Sequence, residues 1–221
     1  MADHEAVIKN GAPMEPRFYG RRQGRPLRAS MKRLLDEALP RFAFDPTRLI
    51  DDQFGRKADR FLEIGFGGGE HLAGLAATMP DSDFIGAEPF INGVASLLRH
   101  IQEQQLGNIR IWPNDVRLIM PSFGAASLAG AFIMFPDPWP KKRHAARRIL
   151  QTTLLDQLAV MIRPGGRLVL ASDDSTAKSW LLQAATVHAD FMWTARGPQD
   201  WRQRPTELPE TRYMKKADRA K

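Results

Sequence analysis

Two stretches of the sequence hold side chains whose types and spacing can do chemistry. The first is Phe61-Leu62-Glu63-Ile64-Gly65-Phe66-Gly67-Gly68-Gly69-Glu70-His71-Leu72. Phe61, Leu62 and Ile64 form an apolar strand, and Leu72, Leu75 and Ala76 recur at helical spacing. The glycines between them allow positive φ and let a ligand lie against bare backbone. Such a strand–turn–helix corner binds mononucleotides in doubly wound α/β sheets; the bland alternative is a tight connection that binds nothing. Glu63 weighs against the bland reading. A carboxylate buried in an apolar strand is costly unless a donor meets it, from the protein or from a cationic ligand. Glu88 ends the next apolar run, about 20 residues beyond the glycines, where an acid can accept both hydroxyls of a ribose. The corner therefore suits an adenosine-containing cofactor. A carboxylate at position 63 would repel a pyrophosphate and attract a sulfonium or ammonium group, which favours S-adenosylmethionine over a nicotinamide dinucleotide.

The second stretch is Phe135-Pro136-Asp137-Pro138-Trp139-Pro140-Lys141-Lys142-Arg143-His144. Prolines on both sides of Asp137 fix φ and stiffen the loop. Trp139 offers a flat face for a base, and three cations follow at once. An enzyme acting on a base within a polyanion needs an acceptor, a stacking surface and phosphate anchors; a nicotinamide dehydrogenase has no evident need of them. The alternative is a proline turn with a solvated basic flank. Asn114 and Asp115 close another apolar run and can either hold an adenine amino group or cap a turn. In Ser172-Asp173-Asp174-Ser175, one residue is expected to cap the following helix, which leaves Asp173 to reach substrate. His71, His100, His144 and His188 lie at no metal-ligand spacing and read as structural or surface residues, so no metal is expected.

These residues need a sheet to bring them to one edge. Strands are expected at 60–64, 84–87, 109–112, 130–135 and 167–171, and helices at 70–78, 91–105, 145–162 and 175–188. A short helix at 30–39 precedes them. Segments 191–195 and 211–215 are candidates for a late antiparallel hairpin. The expected fold is α/β, Rossmann-like, with a mostly parallel doubly wound sheet whose strand ends carry the candidate site residues. Residues 1–30 read as a basic, flexible arm and 31–221 as a single domain. Within the arm, residues 17–28 interleave arginines with glycine, Phe18 and Tyr19. This is either a solvated basic tail or an RNA-contacting segment that orders on binding.

The composition narrows the classes. Across 221 residues, 32 Lys+Arg stand against 25 Asp+Glu, a formal net charge of +7. With an isoelectric point near 10.0, a polyanionic partner is plausible. The absence of cysteine excludes disulfides, thiolate nucleophiles and cysteine zinc sites. With no bilayer-length apolar run and no signal-peptide pattern, no membrane association and a cytoplasmic location are expected.

On these residues the sequence resembles the bacterial tRNA (guanine-N7-)-methyltransferase family. The resemblance rests on Glu63-Ile64-Gly65-Phe66-Gly67-Gly68-Gly69, Glu88, Asn114-Asp115, the Phe135–Lys142 loop, Ser172-Asp173, Thr211-Arg212-Tyr213 and the arm residues 19–24. It implies a class I S-adenosylmethionine-dependent methyltransferase that methylates N7 of a guanine in the tRNA variable loop. It further implies Glu63, Glu88 and Asp115 as cofactor ligands, in a site that Gly65, Gly67, Asn114 and Asp137 complete. Asp137 is the implied catalytic-site acid, and Lys141, Asp173 and the segment Thr211, Arg212, Tyr213, Met214 are the implied substrate contacts. The family pattern Thr-x-x-Glu is here Thr211-Arg212-Tyr213-Met214. Methionine cannot accept a guanine N–H as a carboxylate does, so either Asp173 and Asp137 suffice or the base is held more weakly. A methyltransferase on another nucleic-acid base and a non-catalytic RNA-binding module are the competing readings; monomer and homodimer both remain open.

Overall fold

The computed structural model describes residues 18–202 and 208–209. Three short helices, α1 (Ala29–Glu37), α2 (Leu39–Phe42) and α3 (Ile50–Phe54), precede the sheet. The sheet holds β1 (Arg60–Ile64), β2 (Asp83–Ala87), β3 (Ile109–Trp112), β4 (Leu128–Met134) and β5 (Ile162–Ala171), in the order β3-β2-β1-β4-β5. All four strand pairings are parallel. The chain winds outward from β1 to β3, then returns to β4 on the other side of β1. That reversal makes a crevice at the C-terminal ends of β1 and β4, the place where such sheets bind ligands.

The helices α4 (Glu70–Thr78), α5 (Ile91–Gln104), α6 (Thr152–Met161) and α7 (Ser175–Thr186), with the short α8 (Gln199–Arg202), follow the strands. β2 and β4 are buried at every position, which is why they read as near-continuous apolar runs. Leu62, Ile64, Ile85 and Ile133 pack with Leu154, Leu158, Trp180 and Leu181 of α6 and α7. Phe84, Ile109 and Ile111 pack with Leu72, Leu75, Val94 and Leu97 of α4 and α5. Alternation along β1 therefore sends Leu62 and Ile64 to one face and Glu63 to the other, under α4. The edge of β3 is covered where Phe44 N donates to Ile111 O (2.8 Å).

Three expectations need correction. The helix foreseen over 145–162 starts only at Thr152, because residues 142–147 form a 3-10 helix and Arg148 and Gln151 are extended. Their side chains explain the break. Gln151 Nε2 donates to the carbonyls of Ala145 (3.0 Å) and Arg148 (2.9 Å), and Arg148 reaches back to Trp139 O (3.3 Å). β5 starts at Ile162, five residues earlier than the apolar run suggested, with a register shift against β4 between Leu128 and Gly130. Finally, residues 191–195 form no strand, and 211–215 lie outside the described residues, so the late hairpin is not part of the fold as described.

The described part of the arm, from Phe18 to Arg28, carries no regular structure but is tied to the start of α5. Ile91 N donates to Arg22 O (3.0 Å), Gly24 N to Asn92 Oδ1 (2.8 Å), and Asn92 Nδ2 to Arg25 O (2.8 Å).

Candidate active site at the C-terminal rim of the sheet

The turn after β1 does what its glycines allow. Gly65, Gly67 and Gly69 all sit at positive φ (75°, 56° and 82°). Among the described residues, and apart from its chain neighbours, nothing lies within 4 Å of where a Cβ on Gly65 would stand. α5 crosses on the other side of the turn. A Cβ on Gly93 would lie 2.0 Å from Gly67 O, and only a glycine permits that approach.

Glu88 closes the turn from β2. Its Oε2 accepts from Gly67 N (2.8 Å) and its Oε1 from Phe90 N (2.9 Å). Burial pushes this carboxyl above the ordinary glutamate range; the two backbone amides oppose the shift, and the charges of Asp137 and Glu63 add to it. Asp137 and Glu63 therefore stand close enough to Glu88 for their charges to act on it. Acids so grouped, beside a bare glycine backbone, suit a ligand with ribose hydroxyls and a cationic end.

Glu63 is 1 % exposed. The donor it requires comes from α4: His71 Nδ1 lies 2.9 Å from Glu63 Oε2. His71, expected to be a structural or surface residue, is buried beside Glu63. Eight positions separate the pair, one at each end of the glycine turn, and a single apolar-face histidine gave no other signal.

At the end of β3 the capped turn is realised. Asp115 Oδ1 accepts from Arg117 N and Nε (both 3.0 Å), and Oδ2 accepts from Arg117 Nη2 (2.5 Å). Asn114 Oδ1 accepts from Asp115 N (2.9 Å) and from Arg22 Nη1 (3.0 Å). The arm thereby enters the site, through an arginine that the sequence marked only as one of several.

The loop after β4 presents Asp137 to solvent on a fixed frame. Phe135 and Trp139, one on each side of the Pro-Asp-Pro core, are left-handed at φ 53° and 40°. Non-glycine residues stay there only when their surroundings hold them. Phe135 N donates to Ala171 O (2.8 Å) and Trp180 Nε1 to Pro138 O (3.0 Å). The Arg147 guanidinium lies over the Trp139 ring, 5.1 Å from its centre, and equally 5.1 Å from the centre of the Tyr19 ring. Lys141, Lys142 and Arg143 are exposed. Desolvation, then the charges of Arg147, Arg143 and Lys141, hold His144 below the ordinary imidazole value, so these cations form one field.

At the end of β5, Asp174 caps α7 by accepting from Ala177 N (2.9 Å), and Asp173 is left exposed. Thr211, Arg212, Tyr213 and Met214 lie outside the described residues. Among the described residues no His, Asp and Glu side chains are grouped to hold a metal, and no helix is long and apolar enough to cross a membrane.

Comparison with known proteins bears on this geometry. A family model described as "Putative methyltransferase" matches residues 57–221. A protein of Rhodospirillum rubrum named "tRNA (guanine-N(7)-)-methyltransferase" is 47% identical, over 92% of this chain and 83% of its own length. Proteins of the same name from Paramagnetospirillum magneticum and Erythrobacter litoralis are 43% and 40% identical, over 94% and 96% of this chain and 90% and 92% of theirs.

Proposed function

Since the chain belongs to the tRNA (guanine-N7-)-methyltransferase family, we propose that it transfers a methyl group from S-adenosylmethionine to N7 of a guanine in tRNA, and that this guanine lies in the variable loop. The observation that carries the reading is the position of Asp137. It is an exposed carboxylate on a loop braced by Trp180, and its charge acts on Glu88, as the charge of Glu63 does.

When bound, S-adenosylmethionine supplies an electrophilic methyl group on a sulfonium. The protein's part is to bind, orient and stabilise charge. Glu88 would hold the ribose hydroxyls with lone pairs that its two amide contacts leave over. Gly65 and Gly67 would let the cofactor approach the backbone. Asn114 and Asp115 would border the adenine, and Glu63 would face the cationic end. Guanine N7 carries an in-plane lone pair, so no general base is needed, and much of the demand is alignment. Positive charge moves onto the purine as the methyl is transferred. Asp137 would stabilise that shift as the catalytic residue. Lys141 and Asp173, with Thr211, Arg212, Tyr213 and Met214, would contact the tRNA, and the Lys141–Arg143 cations would sit on phosphates. Residues 31–221 would act as one domain with 1–30 as its arm. A cysteine-free chain acting on tRNA suits the cytoplasm.

The test is methyl transfer from labelled S-adenosylmethionine to unmodified tRNA, with the product nucleoside identified and located by mass spectrometry. N7-methylguanosine in the variable loop is expected. Another methylated nucleoside would overturn the substrate assignment, and cofactor binding with no transfer to any tRNA would overturn the reaction.

A further inference from the structure

The Glu63–His71 pair lies below the glycine turn, and each side chain is 2 % exposed. Glu63 stands opposite Gly86 on β2 and Phe132 on β4. The His71 ring meets Phe132 edge-on, at 5.1 Å between centroids. Its Nε2 is buried and has no hydrogen-bond partner among the described residues. This orphan atom decides where the proton sits. In an imidazolium, Nε2 would be a charged N–H donor buried without an acceptor, the costlier kind of unsatisfied group. In the neutral ring with its proton on Nδ1, Nε2 is a bare lone pair and Nδ1–H donates to Glu63. The hydrogen-bond inventory therefore selects a neutral histidine that donates Nδ1–H to Glu63.

A neutral donor cannot cancel charge on its partner, so an ionised Glu63 held this way carries one uncompensated negative charge. Glu88, on whose carboxyl the charges of Glu63 and Asp137 both act, and Asp137 itself are also acids. A buried charge of this kind is stable only beside a positive one. We propose that His71 is a positioning residue. By donating Nδ1–H to Glu63 it keeps that carboxylate ionised and aimed, so that Glu63 is the counter-charge for the cationic methionine end of S-adenosylmethionine. The inference rests on the cofactor assignment above.

Calorimetry with two ligands tests it. S-adenosylmethionine carries the cationic end, whereas 5′-methylthioadenosine shares the adenosine and sulfur but lacks that end. His71→Leu should weaken S-adenosylmethionine roughly ten-fold or more, the loss of a charge-assisted hydrogen bond, and leave methylthioadenosine affinity within about two-fold of the parent. His71→Gln, whose amide N–H can still donate, should recover most of the loss. Equal weakening of both ligands would mean that His71 is only structural, and no weakening of either would mean that Glu63 needs no donor; each overturns the proposal. Failure of the unaltered protein to bind S-adenosylmethionine would instead overturn the cofactor assignment. Should His71→Leu not fold, nitrogen NMR of the unaltered protein decides. A neutral ring protonated at Nδ1 is expected, and an imidazolium or an Nε2–H tautomer overturns the proposal.

Discussion

Arg22 Nη1 donates a 3.0 Å hydrogen bond to Asn114 Oδ1 across 92 positions of sequence. The contact joins the N-terminal arm to the turn that follows β3. Three residues earlier, Tyr19 shares the Arg147 guanidinium with Trp139. The arm thus touches the rim on both sides of the crevice. Arg22→Ala is expected to weaken S-adenosylmethionine binding by roughly two- to ten-fold, the range of one hydrogen bond. Combining it with Asn114→Ala should add little, because the two changes remove the same contact. Additive losses in calorimetry would mean that the two residues act separately.

Asp137 gives the most direct kinetic expectation. Asp137→Asn keeps the shape and removes the charge, so the turnover number should fall on the order of 10²-fold or more, while S-adenosylmethionine affinity changes far less. Single-turnover methylation of tRNA measures the first and calorimetry the second. Near-normal turnover with weakened tRNA affinity would give Asp137 a binding role alone.

Trp180 acts on the same loop from behind. Trp180→Phe keeps the ring packing in the core but loses the donor to Pro138 O. Stability should fall by about 1 kcal/mol, measured by chemical unfolding. Turnover should fall while cofactor affinity holds, because the lost contact braces the Asp137 loop rather than the glycine turn.

Glu88 should give the unliganded protein a pH dependence of unusual sign. Its carboxyl is raised above the ordinary value of 4.5, chiefly by burial. Above pH 4.5 the folded state keeps this proton longer than the unfolded state does. The contribution of Glu88 is therefore most favourable at and below that pH and is lost as pH rises through the raised value. Thermal unfolding at successive pH values from 4.5 upward should show this decline, and Glu88→Gln should flatten it. The same variant should bind S-adenosylmethionine more weakly.

The strands were legible because a covered parallel sheet demands continuous apolar runs, and DFIGA and LAGAFIM supply them. The rim acids were legible because Glu88 directly follows such a run and Asp115, Asp137 and Asp173 come within a few residues of the end of one. What the sequence hid was long-range. Arg148 and Gln151 sit within a helical periodicity, yet their side chains take contacts that only an extended backbone can reach. The donor to Glu63 was hidden because its spacing belongs to neither a strand nor a helix; the turn between the two residues sets it. Arg22 was one arginine among many until the arm was placed.

The 2.0 Å separation between Gly67 O and the site of a Cβ on Gly93 has a consequence for engineering. Position 93 lies in a helix, outside any motif, where alanine would normally be the better residue. A saturation library scored for activity should nonetheless rank it as intolerant as the turn itself. Anyone transplanting this turn into another sheet would have to carry the notch in the neighbouring helix along with it, because the recognition loop is specified in two places of the chain.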